Sequence, residues 1–112
     1  MTVAALAKLS KIAKVIRSKN AGPFLLTVDI IFEDQETFAR VKQSNAITAE
    51  LFSKLYKTPL TDVIFTEYTK AFAFKGTVPR RISSGDLGDS DVYGAQQHAI
   101  LYDVEIPDLS EQ

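Results

Sequence analysis

The nine residues from Phe24 to Phe32 constrain the fold more than any other part of this chain. Phe24, Leu26, Val28, Ile30 and Phe32 alternate onto one side of an extended strand, and Leu25, Thr27, Asp29 and Ile31 onto the other. Apolar residues on both sides predict a strand at the centre of a sheet, because an edge or surface strand would carry more polar residues. Asp29 is the odd member. A carboxylate in mid-strand needs a cation, several donors or water, since burying it unpaired costs several kcal/mol. It reads either as a structural carboxylate tied to a neighbour or as a site residue.

The rest of the chain is arranged around this strand. Upstream, Leu6, Leu9, Ile12, Ala13 and Ile16 recur at three- and four-residue spacing, with Lys8, Lys11 and Lys14 on the opposite side. This predicts an amphipathic helix over Val3–Lys19, stopped by Asn20, Gly22 and Pro23. Downstream, Asp34 is placed to cap a helix that buries Phe38 and Val41 and ends at Ser44-Asn45. Thr48 is placed to cap a second helix running through Lys57, with Leu51, Phe52 and Leu55 inward and Pro59 closing it. Strands are predicted over Asp62–Thr69 and Ala71–Val78, the second with Phe72, Phe74 and Val78 on one face. A last strand, Ile100–Ile106, would turn Ile100, Tyr102, Val104 and Ile106 inward before Pro107. Four strands with helices on one face predict an α+β two-layer sandwich. Its sheet is expected to be mainly antiparallel, with a ferredoxin-like or permuted topology and residues 1–112 forming one domain.

Composition narrows the function classes. The chain has no cysteine, so it has no disulfide framework, thiolate metal site or cysteine nucleophile. No apolar run approaches the roughly 18 residues of a membrane span. Lysines interrupt the first residues where a secretory leader would carry an unbroken apolar block. A cytoplasmic protein is expected. The net charge is −1, but the residues to Pro23 hold Lys8, Lys11, Lys14, Arg17 and Lys19 with no acid. From Ile82 onward Asp86, Asp89, Asp91, Asp103, Glu105, Asp108 and Glu111 stand without any Lys or Arg. Opposite ends lying against each other, or against a partner, explain this asymmetry better than nucleic-acid binding, because no aromatic is interleaved with the cations.

The polar chemistry concentrates between Ser83 and Ala99, a stretch too long for an ordinary connection. It contains Asp86, Asp89 and Asp91, then Tyr93-Gly94-Ala95-Gln96-Gln97-His98, with the chain's single histidine. The aspartates miss the spacing of a calcium-binding EF-hand and read as turn residues bonding their own backbone, with a hard cation as the alternative. One histidine without cysteine does not make a zinc site. His98 has the ordinary pKa of a general acid or base and sits beside a predicted strand; the alternative is a structural hydrogen bonder. Tyr93, Gln96 and Gln97 suit the orientation of carboxylates or hydroxyls, and equally the stitching of a loop to its own domain. Asp29 joins His98 and Tyr93 as a candidate for proton chemistry. Lys19, Asn20 and Arg80 flank predicted strand ends and are candidates, with Gln96 and Gln97, for holding an anionic substrate, the alternative being the acidic loop; convergence of these stretches with Tyr93–His98 on one site is the expectation. No cofactor is indicated, and neither a phosphate loop nor a dinucleotide fingerprint is present.

Three segments carry a resemblance: Arg17-Ser18-Lys19-Asn20-Ala21-Gly22-Pro23, Leu26-Thr27-Val28-Asp29-Ile30-Ile31-Phe32, and Gly88 through Ala99. Over nearly its whole length the chain resembles a family of uncharacterised small domains. These are typically partnered with, or fused to, proteins resembling the acyclic-terpene-utilisation protein AtuA. The resemblance implies an accessory subunit or module of a larger assembly in organic-acid or acyl-CoA catabolism, and so a homo- or hetero-oligomer. The alternatives are a non-catalytic binding or structural domain and a stand-alone lyase or isomerase of small hydroxy acids.

Overall fold

A computed structural model of the chain describes residues 6–80 and 100–107. In chain order the elements are β1 (Leu6–Lys8), α1 (Leu9–Ile12), β2 (Val15–Asn20), β3 (Leu25–Ile31), α2 (Gln35–Ser44), α3 (Ala49–Leu55), β4 (Ile64–Tyr68), β5 (Ala73–Pro79) and β6 (Glu105–Pro107). Short 3₁₀ turns at Leu60–Asp62 and Thr69–Ala71 bracket β4. The main sheet has the order β2-β3-β5-β4, antiparallel throughout, and β1 pairs with β6 in a separate two-stranded ribbon. Two hairpins, β2–β3 and β4–β5, are thus joined through the helix pair α2–α3, giving the two-layer α+β sandwich.

β3 holds the centre, as its two apolar sides require. Its even-numbered residues Leu26, Val28 and Ile30 are buried, with Phe32 just beyond the strand. They meet Phe74 and Val78 of β5, Phe38 and Val41 of α2, and Phe52 of α3. The rings of Phe32, Phe38 and Phe74 lie 4.9–6.3 Å apart in tilted and edge-on pairs, and Phe65 stacks on Phe74 at 5.7 Å. Burying each such ring is worth about 1.5–3 kcal/mol, so this cluster dominates the packing energy. Phe52 lies so close to β5 that a Cβ on Gly76 would stand 2.7 Å from its ring. A glycine at that point lets α3 seat directly on the sheet.

The helices begin and end where their side chains dictate. Asp34 accepts from the Thr37 backbone N–H at the start of α2, and Thr48 accepts from Leu51 N–H at the start of α3. Asn45 closes α2 in the left-handed region at φ 56°, a conformation asparagine tolerates better than most residues. Asp34 and Thr48 each satisfy a donor that the first helical turn would otherwise leave without a partner.

Two expectations are corrected. The segment Val3–Lys19 is not one helix: α1 is a single turn over Leu9–Ile12, and Val15–Asn20 is a strand of the main sheet. β3 exposes N–H and C=O groups along both edges, and β2 satisfies one of them over six register pairs from Val15↔Ile31 to Asn20↔Leu26. Adjacent β-branched Val15 and Ile16 favour that outcome, and α1 has no side-chain cap to extend it. The last strand is also shorter than Ile100–Ile106. Val104 N–H bonds back to Leu101 C=O, and this turn breaks the alternation. Leu101 is consequently buried, whereas Ile100 and Tyr102 face outward; Ile106 is buried as expected. The four-stranded sheet therefore takes its fourth strand from the basic end of the chain, not from the acidic end.

The ribbon joins those two ends. Lys8 lies opposite Glu105 in the β1–β6 register and its ammonium reaches Asp103 at 3.3 Å. Leu9 and Ser10 N–H donate to Val104 and Tyr102 C=O. Opposite ends of opposite charge do lie against each other here, although an ion pair this exposed contributes only about 0–1 kcal/mol. Among the described residues no helix is long and apolar enough to cross a membrane.

Candidate functional site

Strand register determines which of the candidate residues meet. Arg17, Asp29, Lys75 and Thr66 lie directly across from one another on β2, β3, β5 and β4, on the sheet face away from the helices. Asp29 Oδ2 receives the Arg17 Nε–H at 3.2 Å, and its side chain is only 15% exposed against 63% for Arg17. The mid-strand carboxylate has therefore found a cation on one neighbouring strand and faces a second, Lys75, across the other. The next row on the same face is Lys19, Thr27, Thr77 and Ile64, with the Thr27 and Thr77 hydroxyls 3.5 Å apart. Lys19 and Asp29 thus share one face of the sheet.

Asn20 and Arg80 are gathered elsewhere. Arg80 follows β5, its N–H donates to Phe24 C=O, and its guanidinium donates to Asn20 Oδ1 at 2.5 Å. Asn20 lies opposite Leu26, so it belongs to the face that carries the helices. The described candidates accordingly split into two groups on opposite faces, Lys19 with Asp29 and Asn20 with Arg80. His98, Tyr93, Gln96 and Gln97 lie outside the described residues, as do Asp86, Asp89 and Asp91. Among the described residues no three His, Asp or Glu side chains are grouped as they would be around a metal ion.

Two residues opposite Asp29 are not marked by the sequence pattern: Arg17 falls in the segment predicted as a helix, and Lys75, across the β3–β5 register, carries no motif. A signal for Arg17 did exist: a hairpin turning at Gly22-Pro23 puts it opposite Asp29, once Val15–Asn20 is read as a strand.

What the Asn20–Arg80 bond does structurally is clear from its place in the chain. It clamps the outgoing end of β5 to the end of β2, immediately before residues 81–99. On the far side of that stretch, Leu101 is fully buried, and Tyr102 and Val104 C=O accept from the Ser10 and Leu9 N–H groups. Both stems of the polar segment are thereby anchored in the folded body.

These features define a small α+β domain built as hairpin, helix pair and hairpin, with a polar segment carried between two anchored stems. The chain belongs to the domain family described as "Domain of unknown function (DUF4387)", whose model matches residues 9–105. That range includes all four described candidates and the whole polar segment. No curated protein and no solved structure matches the chain.

Proposed function

We propose that the domain is an accessory subunit or module that docks on a larger AtuA-like protein and contributes Tyr93–His98 to a shared active site or interface. The observation that carries this reading is the pair of anchored stems: the Asn20–Arg80 clamp on one side and buried Leu101 on the other. Stems held this firmly reduce the conformational freedom a displayed segment loses when it engages a partner. The substrate class is an organic acid or acyl-CoA. His98 would move a proton in a lyase- or isomerase-type step, with Gln96 and Gln97 orienting the substrate. Asp29, held by Arg17, serves to organise the sheet face in this reading. The assembly is taken to be cytoplasmic, in keeping with a chain free of cysteine.

The test is co-expression with an AtuA-like protein, followed by co-purification and turnover of candidate organic acids and acyl-CoA thioesters. Loss of about 10²-fold or more in kcat for His98→Ala, in a complex that still assembles, is expected. An intact complex with full activity would leave His98 out of the chemistry and make the domain an interface module. Turnover of hydroxy acids by the isolated domain would replace the accessory reading with a stand-alone enzyme.

A further inference from the structure

The main sheet has two outer strands, and they are defended differently. β2 carries Arg17 and Lys19 on its surface, the kind of charge that discourages another strand from pairing there. β4 has the sequence Ile64-Phe65-Thr66-Glu67-Tyr68, with no proline, lysine or arginine, and Ile64 and Tyr68 are 63% and 47% exposed. Its one charge, Glu67, is drawn toward α2 by an ion pair with Lys42 at 3.2 Å.

The hydrogen-bond pattern shows which β4 groups are available. Phe32 N–H donates to Phe72 C=O and Arg80 N–H to Phe24 C=O at the two ends of the β3–β5 pairing. Even-numbered residues of β5 therefore turn their backbone groups toward β3, and Ala73, Lys75 and Thr77 turn theirs toward β4. Their register partners Tyr68, Thr66 and Ile64 answer them. By alternation, the N–H and C=O groups of Phe65 and Glu67 point off the edge. Val63 N–H is already bonded to Leu60 C=O, so the available set is short and well defined.

We propose that β4 pairs antiparallel with β4 of a second copy of this chain, about a two-fold axis through Thr66, forming a continuous eight-stranded sheet. This register places Phe65 opposite Glu67 of the other copy, so the outward groups of both residues close four intermolecular hydrogen bonds. It places Ile64 opposite Tyr68 at the closer, non-hydrogen-bonded positions, where a β-branched residue and an aromatic pack well. Thr66 meets its own equivalent, also a favourable pair. Beyond the strand ends, exposed Asp62 of each copy comes to the level of exposed Lys70 of the other, and Glu67 never faces Glu67. A strand whose flanks carry opposite charges at equal distances from its midpoint is complementary to itself. That symmetry favours a second copy over an unrelated strand, and an isologous pair closes without further growth.

Sedimentation equilibrium of the full chain over about 1 μM to 1 mM tests this, together with amide exchange at Phe65 and Glu67. A monomer–dimer equilibrium is expected, with those two amides slowing as dimer forms. Ile64→Lys is expected to weaken dimerisation at least about tenfold without changing the far-ultraviolet spectrum, since the side chain is exposed. Asp62→Lys and Lys70→Asp should each weaken it about threefold, and the double exchange should restore it. A chain that stays monomeric throughout, or a dimer indifferent to Ile64→Lys with fast exchange at Phe65 and Glu67, overturns the proposal. So does an edge that is protected only when a larger partner is added, which would make a foreign strand the occupant.

Discussion

The two sides of β3 are made of the same backbone and obey opposite rules. On one side Leu26, Val28 and Ile30 are buried against two helices and an aromatic cluster; on the other, Thr27 and Asp29 pair with polar residues of β2 and β5. The first side derives its stability from volume and shape, which are intolerant of change. The second derives its organisation from register, with each polar group supplied by the strand next door. Such a sheet can carry polar variety on one face only because the other face holds the fold together.

That contrast can be broken most severely from the helix side. Phe74→Ala, at the centre of the ring cluster, should cost about 3–5 kcal/mol in denaturant unfolding. A loss below about 1 kcal/mol would mean the aromatic cluster is not the core of the domain. Gly76→Ala should cost about 1–3 kcal/mol, because its methyl group must displace the Phe52 ring. Combining it with Phe52→Leu should recover part of the loss, and a simple sum of the two effects would argue against direct contact. On the polar side Asp29→Asn should cost only about 0.2–1 kcal/mol, since Arg17 remains largely in water. A much larger loss would place Asp29 in the core's energetics and erase the distinction between the faces.

The smallest expected effect concerns pH and lies outside the sheet. The hydrogen bond from the Thr37 backbone holds the Asp34 carboxyl below its ordinary pKa. A depressed folded-state pKa stabilises the protein above the unfolded value, and that contribution disappears as the pH falls through the folded one. Asp34→Asn, which keeps a capping oxygen, should therefore lose stability near neutrality and converge with the parent chain in acid. Parallel stability curves for the two proteins would remove the cap's charge from the account.

The helix-bearing hairpin-to-hairpin stretch was largely legible in the chain itself. β3, both helix caps, the buried Phe38, Val41 and Phe52, and the β4–β5 hairpin follow from local patterns that agree with tertiary packing. The N-terminal segment was not legible, because Leu9, Ile12 and Ile16 satisfy a helical spacing while the decision belongs to β3's unpaired edge. Around Leu101 the alternation was real but was overridden by a turn that no glycine or proline announces. At the candidate site, Asp29 stood out by its chemistry, yet its partner Arg17 depended on knowing the hairpin. Asn20 and Arg80 were marked by their positions at strand ends, and only the folded chain shows that they clamp each other on the opposite face from Lys19.

The β1–β6 ribbon has a topological consequence. With Leu6 paired to Pro107, the first and last described residues lie side by side at one pole of the domain. The same closeness makes the fold a near-closed ring, so a short covalent bridge between those residues, with a new opening at the exposed Thr69-Lys70-Ala71 turn, should yield a permuted chain that reaches the same architecture.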